Sequence, residues 1–340
     1  MPNLRYAIFG TGFWSQFQIA AWNQVGGVDA VACYNRTVSR AEKVAARFGI
    51  PKVYADPEEL VLNEKIDFMD IITEIDAHSA LVFLAARHKI PVICQKPMAP
   101  DLQTAEQMVA VCKEAGNPFC IHENWRWQTP IRGLKQHMLQ GDIGRIFRGR
   151  IEMVSGFPVF KNQPLLLTLE HFIITDLGSH LLDTARFLFG EAESIYCLTR
   201  KVHPDIAGED AATILLDMGG QTSVSIHMAY AENYLEREAF PQTFFFLEGE
   251  KGSLELGPDY WLHLTTQRGT FSQRIPPPRY GWADPAYDVV QSSIVPCNAN
   301  LLKALQGEGE AETTGEDNLK TVRLVFAAYD SAQRKQAILF

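Results

Sequence analysis

Three ionisable side chains stand where a folded chain could use them for proton transfer. Lys96 lies one residue beyond an apolar run, and Pro97 after it disfavours helical geometry at the lysine. Asp176 and His180 are four residues apart, so at the start of a helix their side chains share one face. A histidine beside a carboxylate can serve as an acid–base pair, because imidazole exchanges protons near neutral pH. Gly178 between the two residues leaves room for an approaching group. The alternatives are a surface lysine, a first-turn acid and a packed core histidine.

A glycine turn near the N-terminus indicates a nucleotide site. The apolar run Tyr6-Ala7-Ile8-Phe9 predicts a strand that ends at Gly10, Gly12 follows, and a helix is predicted from near Phe13. Glycines let the backbone approach a pyrophosphate, and a helix N-terminus offers unpaired N–H groups to its charge. Ser15, a small residue, stands where a third glycine is usual. The alternative is a glycine turn without a ligand.

The end of the second predicted strand bears on the choice of cofactor. An acidic residue at this point would bind the ribose of NAD and repel the extra phosphate of NADP. Here Asn35 can still hydrogen-bond a ribose hydroxyl, while Arg36 could attract a 2'-phosphate. The residues therefore leave NAD and NADP both open. The alternative is a solvated helix cap that ends at Thr37.

Composition excludes several classes of protein. The 340 residues are 46% hydrophobic and 21% charged, which is typical of a soluble globular protein with room for two cores. A net charge of -9 without a basic block argues against nucleic acid as the main partner, and neither a signal peptide nor a membrane segment is predicted. Scattered cysteines without CxxC pairs favour reduced thiols in the cytoplasm, and no metal site is predicted.

Strands and helices alternate to about residue 122. Helices are predicted over residues 38–48, 57–62, 79–88 and 101–115, and further strands over residues 29–34, 53–54, 66–73, 92–94 and 119–121. This alternation predicts an α/β domain of the Rossmann type, a doubly wound and mostly parallel sheet that binds ligands at the carboxyl ends of its strands. At that edge, Thr73, Glu74 and His78 lie at the end of strand four. Gln95 and Lys96 lie at the end of strand five.

The pattern changes after residue 123. Helices are predicted over residues 130–140, 176–189, 298–305 and 316–333, and strands over residues 145–155, 195–200, 211–217, 222–229, 243–248, 252–256 and 260–265. This order predicts an α+β domain with an open, mostly antiparallel sheet covered on one face by helices. The predicted domains are residues 1–122 and 123–340, with the last helix free to pack back on the first domain.

Several motifs together resemble the glucose-fructose oxidoreductase/inositol dehydrogenase/MocA family. They are the glycine turn, the Lys-Pro pair after strand five, the Asp-x-Gly-x-His motif, and Asn124-Trp125-Arg126-Trp127 with Pro130. The resemblance covers essentially the whole chain, including Gly315-Glu316-Asp317-Asn318 at the start of the last helix. It implies a nicotinamide cofactor, a sugar or polyol substrate, and a C-terminal sheet through which the chain forms a homodimer or homotetramer.

Carried over residue by residue, the resemblance implies a catalytic triplet of Lys96, Asp176 and His180. It implies cofactor contacts from Phe13, Trp14, Asn35, Arg36, Thr73, His78 and Lys96, with Asn124 near the nicotinamide. We add the strand-end residues Gly10, Gly12, Glu74 and Gln95 to the cofactor site. The expected substrate contacts are Lys96, Asn124, Trp125, Met153, Ser155, Asp176 and His180.

Two departures from the family pattern refine these expectations. Gln95 stands where the family usually has glutamate, which removes a charge beside Lys96. Met153 and Ser155 replace the polar, histidine-containing contacts of inositol dehydrogenases, which disfavours inositol. A narrower resemblance, to one branch that oxidises a cyclic branched pentose at its anomeric carbon with NAD, covers residues 10–14, 94–99, 124–130, 155–160, 276–290 and 292–305.

The mechanism implied by the resemblance leaves one role open. Either His180 or Lys96 takes the hydroxyl proton, while Asp176 orients the sugar and holds the tautomer of the histidine. The alternatives for the whole chain are another aldose or polyol dehydrogenase of the family, or a nucleotide-sensing regulator such as the yeast galactose repressor. Such a regulator can dispense with catalytic groups, whereas all three are present here.

Overall fold

The N-terminal segment forms six parallel strands that alternate with helices, in a computed structural model that describes residues 2–231, 234–236 and 238–340. The strands are β1 (Leu4–Phe9), β2 (Val28–Tyr34), β3 (Val53–Tyr54), β4 (Phe68–Ile71), β5 (Val92–Gln95) and β6 (Phe119–His122). The helices are α1 (Ser15–Val25), α2 (Val38–Phe48), α3 (Pro57–Asn63), α4 (His78–His88) and α5 (Leu102–Ala115). The strand order β3-β2-β1-β4-β5-β6 confirms the predicted doubly wound sheet.

Local sequence explains where these helices begin and end. The carboxylate of Asp56 accepts hydrogen bonds from two first-turn N–H groups of α3, and that of Asp101 caps α5 by accepting from the N–H and the hydroxyl of Thr104. Helices α2 and α5 end at Gly49 and Gly116, each with the positive φ that ends a helix most easily at glycine. These caps fix the helix lengths and hence the loops at the carboxyl edge of the sheet.

Beyond β6, the described part of the chain builds a nine-stranded sheet. Its helices are α6 (Thr129–Gln140), α7 (Val159–Asn162), α8 (Ser179–Phe189) and α9 (Asp288–Gln291). Its strands are β7 (Ile146–Ser155), β8 (Ala192–Arg200), β9 (Ala211–Met218), β10 (Thr222–Tyr230), β11 (Phe244–Gly249), β12 (Gly252–Leu256), β13 (Trp261–Thr266), β14 (Gly269–Arg274) and β15 (Ile338–Leu339). Neighbouring strands are antiparallel except β7 and β10, which confirms the predicted open, mostly antiparallel sheet. Strands β14 and β15 were not predicted.

One face of the large sheet forms a core with helices, and the other is open. Ile151 and Ile214 point into the core, where they join Leu134 of α6 and Leu181 of α8. On the open face, the register places one row of side chains across six strands: Tyr196, Leu215, Ser225, Arg150, Phe246 and Glu255. The alternation of buried and exposed residues along each strand separates the two faces.

Two more helices, α10 (Ile294–Leu305) and α11 (Gly315–Arg334), complete the two compact units of the chain. The first unit holds the described residues up to Asn124 together with Tyr280–Asp284 and Gln291–Val322. The second holds Trp125–Arg279, Pro285–Val290 and Arg323–Phe340. The predicted domains assign residues 280–284 and 291–322 to the second domain, so they differ from the units there. The reason is that α10 packs on α1.

Three predicted helix starts are wrong. Helix α1 begins at Ser15 rather than near Phe13, because residues 12–14 form a turn that is closed by the Ser15 N–H on the Gly12 carbonyl. Helix α10 begins at Ile294 rather than at residue 298, since Pro296 is tolerated in a first turn. The helix predicted from Asp176 begins at Ser179, after a π-helical turn over Ile174–Gly178.

Candidate active site

The glycine turn after β1 lies where the strand order reverses. Gly10 has φ +105°, and a Cβ atom there would lie 2.6 Å from the carbonyl oxygen of Ile72, so only glycine fits. A Cβ atom on Gly12 would meet nothing within 4 Å. The Ser15 hydroxyl donates to the Gly12 carbonyl at 2.7 Å and so holds the turn at the start of α1. The backbone of this turn is therefore open to a ligand.

Buried polar atoms around the turn fit a dinucleotide. Within the described ranges, Thr11 Oγ1, Trp14 Nε1 and Thr73 Oγ1 are buried without a hydrogen-bond partner. Thr11 follows β1 and Thr73 follows β4, which are neighbours at the switch point. Hydroxyl and indole donors beside an open glycine turn suit phosphate and ribose oxygens. These residues would hold NAD, with Phe13, which is exposed, at the rim.

Asn35 joins the end of β2 to the glycine turn. Its side-chain oxygen accepts from the Thr11 N–H at 3.4 Å, and its amide nitrogen donates to the Thr37 carbonyl at 3.0 Å. The neighbouring Arg36 is exposed. The structure thus brings Asn35 to the predicted cofactor loop, while contacts of Asn35 and Arg36 with a ribose or phosphate stay predictions.

His78 joins the loop after β4 to the loop after Lys96. The ring is buried, with Nδ1 3.1 Å from the Pro97 carbonyl oxygen and Nε2 3.1 Å from that of Thr73. Burial lowers the pKa of His78. The side chain therefore positions the two loops, whereas a direct contact of His78 or of the exposed Glu74 with the cofactor stays a prediction.

Gln95 belongs to a buried polar network of the first unit. Its amide nitrogen donates to Gln18 and lies 3.0 Å from Nδ1 of His122, whose Nε2 is 3.0 Å from the side-chain oxygen of Asn298. Gln18 in turn donates to the carboxylate of Asp70 at 2.6 Å. Because an amide nitrogen only donates, His122 accepts at Nδ1 and carries its proton on Nε2. These buried hydrogen bonds fix the position of Gln95 and hence of the loop that begins with Lys96.

Asn124 completes the carboxyl edge of the small sheet. Its buried amide donates to the Ser293 hydroxyl at 2.8 Å, just after β6. The structure thus places Gly10, Thr73, Lys96 and Asn124 after four neighbouring strands, at the edge where the sequence predicts the cofactor.

In the second unit, His180 lies buried in the first turn of α8. Its ring stacks on that of Trp125, with 4.3 Å between the centroids and 22° between the planes. Asp176 lies in the π-helical turn just before this helix. The prediction of a shared face assumed α-helical spacing from Asp176 onward, whereas the stretch up to Gly178 is π-helical. The pairing of Asp176 with His180 stays a prediction.

Gly178 serves internal packing. A Cβ atom there would lie 3.2 Å from Cγ2 of Ile174 and 3.3 Å from the sulfur of Met228 on β10. The room that the sequence predicts for an approaching group is therefore used by two side chains of the same unit. This corrects the expectation that Gly178 leaves space for a ligand.

Thr243 links Met153 to Trp125, the residue that stacks on His180. The indole of Trp125 donates to the Thr243 hydroxyl at 3.0 Å, and that hydroxyl lies 3.9 Å from the sulfur of Met153. Both Trp125 and Met153 are buried in the core of the unit. Thr243 was not predicted, since no motif surrounds it. Substrate contacts of Trp125 and Met153 stay predictions.

Ser155, at the end of β7, holds a carboxylate. Its hydroxyl and the N–H of Gly156 each donate to Glu238 at 2.8 Å. Burial raises the pKa of Tyr230, and the nearby charges of Asp176 and Glu238 raise it further. The charges of Asp176 and Glu238 therefore both act on the Tyr230 hydroxyl. The sequence signals neither Tyr230 nor Glu238, because only the fold brings the loop after β10 to the end of β7.

Family comparisons agree with this geometry. Residues 4–122 match the oxidoreductase family with an NAD-binding Rossmann fold, and residues 131–255 match the GFO/IDH/MocA C-terminal domain. The chain belongs to the Gfo/Idh/MocA oxidoreductase family. Its N-terminal segment is an NAD-binding Rossmann domain, which confirms the predicted cofactor class.

Individual relatives of this family member span nearly its whole length. The chain is 41% identical to D-apiose dehydrogenase of Rhizobium rhizogenes over 99% of this chain and 98% of that protein. It is 40% identical to D-apiose dehydrogenase of Paraburkholderia graminis over 98% of this chain and 88% of that protein. A crystal structure of an oxidoreductase from Agrobacterium radiobacter with NAD+, L-tartaric acid and magnesium superposes with a TM-score of 0.97 at 40% identity, covering 99% of this chain and 98% of that one.

Proposed function

We propose that the chain is an NAD-dependent dehydrogenase that oxidises D-apiose at its anomeric carbon to D-apionolactone. The observation that carries this proposal is the similarity, at 41% and 40% identity over nearly full length, to two D-apiose dehydrogenases. The narrower sequence resemblance described above is to the same enzyme. Support from the site comes from an open glycine turn for the cofactor and from three groups suited to proton transfer.

The residues of the chain divide the reaction between them. Lys96, Asp176 and His180 are the proposed catalytic residues. The hydroxyl proton passes to His180 or Lys96 as the C=O bond of the lactone forms, while Asp176 orients the sugar. Bound NAD+ supplies the acceptor for the hydride that leaves the anomeric carbon. Most of the rate gain is expected from positioning and preorganised electrostatics.

The charges near Trp125 favour an uncharged substrate. A phosphorylated sugar would call for free arginine or lysine side chains. The adjacent Arg126 is buried and makes a two-pronged ion pair with Asp183, with N···O distances of 2.7 and 2.6 Å. Its charge is therefore neutralised inside the unit, which supports a compact neutral sugar beside Met153 and Ser155.

A substrate panel tests this proposal. D-apiose, xylose, glucose and myo-inositol are each supplied with NAD or NADP, and turnover is read from the absorbance of the reduced cofactor. We expect kcat/KM for D-apiose to exceed the others by about 10-fold or more, since one hydroxyl contact contributes more than about 1.4 kcal/mol. A higher value for glucose or myo-inositol would indicate another dehydrogenase of the family. Tight NAD binding without turnover of any sugar would favour the regulator.

We further propose a cytoplasmic homodimer or homotetramer that assembles through the open face of the large sheet. Exposed apolar side chains on this face include Leu198, Leu215 and Trp261. All six cysteines are unbridged and buried, as suits a reducing compartment. Among the described residues, no helix is long and apolar enough to cross a membrane.

A further inference from the structure

The turn that carries Asp176 is held at its N-terminal end by two side chains from distant parts of the second unit. The N–H of Ile174 donates to the carboxylate of Glu209 at 3.3 Å, and the N–H of Thr175 donates to the hydroxyl of Tyr329 at 3.1 Å. Both amides lie at the start of a π-helical turn, a rare conformation that recurs at functional sites. Free N–H groups at a helix start need such partners.

Counting hydrogens fixes the direction of each bond at Tyr329. Its hydroxyl has one hydrogen, which is donated to Glu209 at 2.9 Å. The same oxygen therefore accepts from the N–H of Thr175 and from the Thr175 hydroxyl, each at 3.1 Å. Glu209 is only 7% exposed, so this pattern is largely shielded from water and costly to break.

Other contacts fix the turn on both sides of Asp176. The backbone carbonyl of Glu209 accepts from the N–H of Ile173 at 3.2 Å. The Asp176 N–H donates to the Phe172 carbonyl at 2.9 Å, and the Asp176 carbonyl accepts from the Ser179 hydroxyl at 3.1 Å. The consecutive amides 173, 174 and 175 are thus all bound by Glu209 or Tyr329.

We propose that Glu209 and Tyr329 are positioning residues that hold the π-helical turn in the register that presents Asp176 to the substrate. Without them, relaxation to a continuous α-helix would shift the preceding residues by one position, which is about 100° around the helix axis. The Asp176 carboxylate would then point elsewhere. This inference rests on the proposed catalytic role of Asp176.

Tyr329→Phe tests the proposal, because it removes the hydroxyl and leaves the ring that stacks on His171 at 4.1 Å. We expect kcat/KM for the sugar to fall about 10-fold or more, with the Kd for NAD unchanged. Glu209→Gln keeps an acceptor oxygen for both donors and should retain most activity, whereas Glu209→Ala should not. Tyr54→Phe is the matched control, because it removes a hydroxyl–carboxylate bond of the same kind, to Glu64 in the first unit. Should Tyr329→Phe fold poorly, Thr175→Val removes one of the same bonds and should lower kcat/KM in the same direction.

A double-mutant cycle with Asp176→Asn separates this inference from the proposed function. If Tyr329 acts through Asp176, the double variant should lose no more activity than Asp176→Asn alone. Additive losses, or wild-type turnover in Tyr329→Phe, would overturn the inference while leaving Asp176 catalytic. Wild-type turnover in Asp176→Asn would overturn the catalytic role of Asp176 and this inference with it.

Discussion

Lys96 is held through the backbone on both sides of it. Before it, Gln95 is bound by the buried network with Gln18 and His122. After it, the carbonyl oxygen of Pro97 lies 3.1 Å from the buried ring of His78. A flexible four-carbon side chain can act reproducibly in catalysis only if its backbone is fixed. The rigidity around Lys96 therefore supports its proposed role at the reacting oxygen.

Lys96→Ala should lower kcat by about 100-fold or more, the range for a lost acid–base or oxyanion group, with the Kd for NAD changed much less. Steady-state kinetics and cofactor titration measure the two effects separately. Lys113→Ala is the control, because Lys113 is an exposed lysine of the same unit that pairs with Glu316 at 2.7 Å. Turnover near the wild-type rate in Lys96→Ala would remove this residue from the mechanism.

Residue types and spacing predict only part of the candidate site. Gly10 and Lys96 are recognisable because each follows an apolar strand directly. Glu209 and Tyr329 are not, since the bond between them spans 120 residues and exists only after the sheet and α11 have formed. Such positioning contacts follow from tertiary packing, which no local pattern encodes.

At the scale of elements, a buried carboxylate ties together strands and helices of the first unit. Asp70 on β4 accepts from Gln18 at 2.6 Å and from the indole of Trp22 at 2.8 Å, both on α1. Burial raises the pKa of Asp70 to about 7, although the two donors favour the charged form. The folded pKa thus lies above the reference value of 3.8. The network stabilises the fold most when this carboxyl is neutral.

Asp70→Asn should therefore flatten the pH dependence of stability. For a raised folded pKa, the stabilisation is complete below about pH 4 and is lost as the pH rises through about 7. When the pH is raised from 5 to 8, the ionisation of Asp70 should lower the free energy of unfolding of the wild type by roughly 2–3 kcal/mol. The variant should not show this loss. Urea unfolding at both pH values measures this difference. Asp29→Asn, at an exposed position on β2, is the control, and equal slopes in all three proteins would contradict the prediction.

Element boundaries were predictable where a cap or a breaker marks them. Helix α3 begins at residue 57 as predicted and α5 one residue after its predicted start, because Asp56 and Asp101 cap their first free N–H groups. The π-helical turn before α8 was not predictable, since an extra residue in a helix leaves no signature in hydrophobic periodicity. Strand β14 was missed because its side chains are mostly exposed and show no alternation.

At the scale of the whole molecule, the sequence predicts two domain types and leaves the strand order of the larger sheet open. Alternating patterns identify β7 and β10 as half-buried strands, but their parallel pairing depends on residues far apart in the chain. The strand order also creates the open face. On this face Leu215 of β9 pairs with Tyr196 of β8 on one side and with Ser225 of β10 on the other. A mixed apolar and polar face of this kind is typical of a surface that another sheet covers.

Leu215→Lys should dissociate the proposed oligomer. Leu215 is 52% exposed in the single chain, and an ammonium group buried there by a second copy would lose its hydration without a matched partner. Sedimentation velocity should show a dimer or a tetramer for the wild type and a smaller species for the variant. Leu62→Lys on α3, where the leucine is 68% exposed in the first unit, is the matched control and should leave the mass unchanged. A monomeric wild type, or a Leu215→Lys variant of unchanged mass, would show that copies of the chain do not meet at this position of the sheet.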